Sequence, residues 1–153
     1  MIETVIVPLD GSQLAETALP LAREIQDKFA AKLVLLRVIE PLQGVPTAGL
    51  LDPPAGVASE FELTQKVQDA ASQDATAYLE AIVRQLSPAT VETLVMSDQP
   101  PDAIVQTAAE RPGALIVMSS RGRSGLSRLV FGSVAEGVLR NSTAPVLVVK
   151  SPA

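Results

Sequence analysis

The sequence predicts an α/β fold, an open five-stranded parallel sheet with helices on both faces. Three observations carry this. Short apolar, β-branched runs alternate along the chain with stretches of helical periodicity, the order that builds a parallel sheet through right-handed crossovers. The strand runs are apolar at successive positions rather than alternate ones, as in Leu33-Val34-Leu35-Leu36, which is the pattern of strands covered on both faces. The chain has 153 residues with no internal repeat and no linker, so residues 1–153 read as one domain with enough length to bury a core.

The elements follow in order. Val5 to Leu9 is a strand that ends at Asp10-Gly11-Ser12. Ser12 suits an N-cap, and Leu14, Ala18, Leu21, Ala22, Ile25 and Phe29 fall at helical spacing behind it, with Pro20 expected to kink the helix. Leu33 to Val38 is the second strand, with Arg37 its odd member. From Glu40 to about Ala58, four prolines and three glycines predict a long loop, a length that usually marks function and here suits a lid. Ser59 and Glu62 form a capping box, and Val67, Ala71, Ala75, Tyr78, Ile82 and Leu86 mark one face of a long helix. Val91 to Met96 is the third strand. Pro100 and Pro101 open a helix that stops near Glu110. Leu115 to Met118, a helix from Gly132 to about Asn141 and the strand Val146 to Val149 complete the alternation.

Composition narrows the chemistry. Without cysteine there is neither a disulfide nor a thiolate metal site, and without histidine the commonest general base and metal ligand are missing. A net charge of −5, with three Phe, one Tyr and no Trp, disfavours nucleic acid as a partner. No apolar run approaches 18 residues and the first residues lack a signal peptide's basic region, so the expectation is a cytoplasmic protein with no membrane partner.

Ligands of parallel sheets sit at the carboxyl ends of the strands where strand order reverses, which directs attention to Asp10 and to the segment after Met118. That segment, Ser119-Ser120-Arg121-Gly122-Arg123-Ser124-Gly125, leads through Arg128 to Gly132-Ser133 at a helix start. Bare glycine amides, a helix N-terminus and the arginines, Arg123 among them, suit an anion such as a triphosphate. Structural alternatives stand beside this. Ser133 and Glu136 match a capping box, the arginines match a solvated face, and Asp10 matches an Asx-turn.

The opening IVPLDGS, the LVLLRVIEP of strand two and the run VMSSRGRSGLSRLVFGSVAEGVLRNSTAPVLVV from Val117 to Val149 resemble the universal stress protein family across nearly the whole chain. The ATP-binding type carries Gly-x2-Gly-x9-Gly-(Ser/Thr). Here the pattern reads Ser119-x2-Gly122-x9-Gly132-Ser133, with a serine for the first glycine. The resemblance implies a Rossmann-like sheet in the order 3-2-1-4-5 and an adenine nucleotide, ATP first, as ligand. It implies that Asp10 and the backbone of Val38 flank the adenine. Met118 and Ser119 then lie near the ribose and first phosphate, while Gly122, Gly132, Ser133 and Val134 hold phosphates. It also implies a nucleotide-dependent role in stress or signalling, and a homodimer through Val146 to Val149.

No catalytic group is assigned. P-loop and histidine-based nucleotidyl-transfer motifs are absent, so the expected chemistry is binding, with at most slow hydrolysis assisted by Mg²⁺ near Asp10. Three alternatives remain open at this level. One is a nucleotide-free, dimeric interaction module. A second is a receiver-like phospho-acceptor domain using Asp10, Asp98 and Lys150. The third is another adenine nucleotide, such as AMP, cyclic AMP or cyclic di-AMP.

Overall fold

A computed structural model describes residues 1–42, 59–86, 90–121 and 131–150. Five strands, β1 (Thr4–Pro8), β2 (Lys32–Ile39), β3 (Val91–Ser97), β4 (Ala114–Ser119) and β5 (Val146–Val149), form one parallel sheet in the order β3-β2-β1-β4-β5. The expected class and strand order are both realised. Leu33, Val34, Leu35 and Leu36 are all fully buried, as are Val5, Ile6 and Val7, so the continuous apolar runs do mark strands covered on both faces.

Alternation along the strands sorts these side chains into two cores. Val5, Val7, Leu33, Leu35, Leu115 and Val117 meet Ala18, Ala22, Leu79 and Ile82 on one face, from α2 (Leu19–Phe29) and α3 (Glu60–Leu86) with the residue before α2. Ile6, Val34, Leu36, Ile116 and Met118 meet Ile104, Ala135 and Val138 on the other, from α4 (Pro100–Ala109) and α5 (Ser133–Asn141). Each fully buried Leu or Ile contributes on the order of 1.5–3 kcal/mol. The chain runs β1, β2, β3 outward in one direction, then returns past β1 to β4. The order therefore reverses between β1 and β4.

Three helix expectations change in detail. The segment behind Ser12 is not one kinked helix but two, α1 (Gln13–Glu16) and α2, separated at Thr17–Ala18. Pro20 sits in the first turn of α2, where its missing N–H leaves no bond unmade. Phe29, the last residue of α2 before Ala30 at a left-handed φ of 52°, is 48% exposed rather than part of the apolar face. The capping box of α3 is made, with Glu62 N donating to Ser59 Oγ at 3.2 Å and Ser59 N to Glu62 Oε2 at 3.1 Å. Its apolar face, however, is buried only from Ala75 onward, while Val67 is 54% exposed.

α5 is held close to α4. A Cβ on Gly137 would lie 2.9 Å from Pro101 Cβ, a distance that real side chains do not tolerate. The helix whose first turn faces the strand ends is thereby set against the first turn of α4.

Candidate nucleotide site

The site is built where β1, β2 and β4 end. Leu9 extends the ladder beyond β1, its N–H donating to Leu36 O at 2.8 Å. Gly11, at φ 85°, then turns the chain into α1, a conformation that favours glycine. Asp10 Oδ1 accepts from Ser12 N at 2.9 Å and Ser12 Oγ at 2.5 Å, while Ser12 Oγ accepts from Ala15 N at 3.2 Å and caps α1. Asp10 is thus an Asx-turn residue, as its structural alternative had it, at a strand end.

Val38 occupies a defined place beyond β1. Even-numbered residues of β2 turn their backbone groups to β1, as Lys32 N donates to Glu3 O at 2.9 Å and Leu36 O accepts from Leu9 N. Odd-numbered ones turn to β3, with Leu33 N donating to Thr90 O and Asp98 N to Ile39 O. The register pairs Leu36 with Pro8, the last residue of β1. Two residues on, the backbone of Val38 is therefore directed to the side where β1 has already turned away at Asp10.

β4 is buried throughout, Met118 being 5% and Ser119 6% exposed. Met118 packs into the α4–α5 core. Ser119 Oγ donates to the carbonyl oxygen of Arg121, folding the serine back onto its own loop. Ser120 N donates to Val149 O at 2.8 Å, and Ser120 O accepts from Gly132 N at 2.9 Å. The segment that leaves β4 therefore returns to its point of departure before α5 begins. Gly122 and Arg123 lie outside the described residues.

Gly132 is the N-cap of α5, with φ −59° and ψ 155°, and the first helical bond is Glu136 N to Gly132 O at 3.0 Å. Ser133 and Val134 are the first two helical residues, and their amides precede the first intrahelical donor. The capping box expected from Ser133 and Glu136 is not made. Ser133 lies inside the helix, one position too late, and Glu136 accepts from Arg140 Nη2 at 2.7 Å one turn on. A glycine cap leaves the first-turn amides without a side-chain partner, the condition under which an anion binds there.

Beside the Leu9–Asp10 turn lies a group that sequence reasoning left unassigned. Arg37 Nη1 donates to Leu9 O at 3.4 Å, and its guanidinium carbon is 5.9 Å from the centre of the Tyr78 ring. Tyr78 Oη donates to Glu16 Oε1 at 2.8 Å. Burial first, then the Glu16 bond and charge, push the phenol well above its ordinary value, with Arg37 opposing. The available signal was a charged residue within a strand apolar on both faces.

Other features lie elsewhere. A cavity of about 520 Å³ opens at the opposite end of the sheet, near Ile2, Phe29, Ala31 and Val91. It is wide open, counts Glu3, Lys32 and Thr90 among its lining, and lies at the amino ends of β1, β2 and β3, remote from the carboxyl ends of the strands. Among the described residues, no group of three or more acidic, histidine or cysteine side chains could hold a metal.

These features define an open, doubly wound α/β protein whose candidate site occupies the switch point between β1 and β4. A model of the universal stress protein family matches residues 1–150. Universal stress protein MJ0531 of Methanocaldococcus jannaschii is 30% identical over 150 residues, covering 97% of this chain and 82% of that protein. MJ0577 of the same organism is 28% identical over 156 residues, 98% of this chain and 96% of that one. A solved structure of MJ0577 matches with a TM-score of 0.81 at 26% identity, over 100% of this chain and 99% of the other. A universal stress protein in complex with cAMP shares the fold at a TM-score of 0.62 and 24% identity, over 99% and 98%. The chain belongs to the universal stress protein family.

Proposed function

We propose that this chain binds an adenine nucleotide, ATP before others, and that nucleotide binding rather than catalysis is its activity in stress or signalling. The observation that carries this is the Gly132 cap. First-turn amides of α5 with no side-chain cap are tied through Ser120 to the end of β4, at the switch point that Asp10 also borders. The base then lies by Asp10 and the Val38 backbone and the ribose by Met118 and Ser119. The phosphates lie on Gly132, Ser133 and Val134, with Gly122 and Arg123 contributing as well. Family membership supports the ligand class, as does the fold shared with the cAMP complex. Mg²⁺ would arrive on the phosphate oxygens, since the described residues supply no acidic cluster for it. The protein acts in the cytoplasm as a single domain and pairs through β5.

The nucleotide-free interaction module has one observation in its favour. Asp10 Oδ1 and Ser119 Oγ already have partners within their own turns. Thermal unfolding separates the two readings. Mg-ATP at 100 times its dissociation constant should add about 2.7 kcal/mol and raise Tm by roughly 5 to 10 °C, more than AMP, cyclic AMP, cyclic di-AMP or GTP does. Gly132→Val, which crowds the phosphate position, should abolish the rise. No rise with any nucleotide on ligand-free protein selects the interaction module.

A further inference from the structure

A guanidinium within a strand whose other central residues are fully buried is costly unless it is given partners. Those of Arg37 lead somewhere specific. Arg37 Nη1 reaches Leu9 O, the residue before Asp10, and the guanidinium lies over Tyr78 of α3. Tyr78 Oη reaches Glu16 of α1, and α1 is capped by Ser12, whose N–H and hydroxyl both donate to Asp10 Oδ1. Leu9 and Asp10 are consecutive. The contacts thus close a circuit through β2, α3, α1 and the turn that carries the carboxylate.

We propose that Arg37, Tyr78 and Glu16 position Asp10 for the nucleotide base and thereby set the preference for adenine over guanine, an inference that rests on the nucleotide-binding reading above. The chemistry is that of a carboxylate beside a purine. Adenine presents an amino donor at its six-position, which the carboxylate accepts. Guanine presents a carbonyl oxygen there, so two acceptors oppose each other. A carboxylate discriminates only if it is held at the right place, because a turn free to shift lets it swing away or admit a water. The three residues act through Asp10 and its turn. The Tyr78 phenol, protonated across the neutral range and pushed further above its ordinary value by burial and by Glu16, donates to Glu16 throughout that range. Among the described residues, the phosphate end is built on the first turn of α5, which takes part in none of the contacts named above.

Calorimetric titration of ATP, GTP and inorganic tripolyphosphate into the full chain tests this. Tyr78→Phe keeps the ring under Arg37 and removes only the hydroxyl. It should unfold near the wild-type Tm, bind tripolyphosphate as the wild type does, and bind ATP about five- to tenfold more weakly, with the ATP-to-GTP ratio falling by the same factor. Glu16→Leu should reproduce that loss, and the double variant should lose no more than either alone, because both remove the same bond. Arg37→Met should narrow the ratio as well. An unchanged ratio in Tyr78→Phe and Glu16→Leu, in a wild type that binds ATP, overturns the proposal and leaves the three residues as packing. A wild type that binds no nucleotide overturns the nucleotide-binding reading itself, and this inference with it.

Discussion

At Gly113, a single missing side chain decides how the chain begins. Its φ is 56°, and a Cβ there would lie 2.6 Å from Met1 O and 2.8 Å from Glu3 N. Its carbonyl accepts from Glu3 N at 3.0 Å and Thr4 N at 3.3 Å, which seats the amino terminus beside the entry to β4. Gly113→Ala meets two penalties, left-handed backbone strain and a clash with backbone that has no rotamer to yield. We expect a loss of about 2 to 4 kcal/mol, read as a lower midpoint in urea at unchanged slope. A loss below about 0.5 kcal/mol would show that the amino terminus moves aside without consequence. Residue-scale features of this kind are only partly legible. Arg111-Pro112-Gly113 marked the stop of a helix, but nothing in that run names Glu3, which is brought there only by the β1–β4 pairing. The Tyr78 hydroxyl and its acceptor lie 62 positions apart, beyond the reach of any local pattern.

Between elements, the strands were read to within a residue: β1, β2 and β4 because burial on both faces leaves a continuous apolar signal, and the edge strands β3 and β5 from short β-branched runs bounded by turn residues. Helices were read less closely, since periodicity reports which side is apolar and not whether anything covers it. Val67 carries the spacing of α3 and stays exposed, while Ser133 carries the letters of a capping box but falls inside the helix. One clasp between elements was not legible at all. Glu92 of β3 accepts from Lys32 of β2, and from Arg111 Nη2 just beyond α4 at 2.9 Å. Those two hydrogen bonds, Lys32 first, hold its carboxyl below the ordinary value of 4.5. A carboxyl depressed on folding contributes stability that is fully present above its unfolded value and is lost as pH falls through its folded one. Glu92→Gln should therefore cost about 1 kcal/mol at pH 7, discounted for the partial exposure of the cluster, and less at pH 3, below the unfolded value. Urea midpoints of both proteins at the two pH values check this. A gap undiminished at pH 3 would trace the loss to packing instead.

For the whole molecule, the sheet leaves an edge. β5 pairs with β4 from Ile116–Val146 to Ser119–Val149, and among the described residues no strand lies on its other side. Val146-Leu147-Val148-Val149 has no charge and no proline within it, and Leu147 is 36% exposed. An apolar edge of this kind invites another strand unless something protects it. A second copy of the chain, related by a two-fold axis, would satisfy both edges at once. Among the described residues no helix is long and apolar enough to cross a membrane. We therefore expect sedimentation at a mass twice the 16.0 kDa of the chain. Leu147→Lys, which puts a charge into the facing strand, should shift it to the single-chain mass and make Tm independent of protein concentration, where the wild-type Tm rises with concentration. A wild type that sediments as a single chain at high concentration would mean that β5 is an exposed edge held in check by its short length of four residues, with Pro145 before it and Lys150 after it.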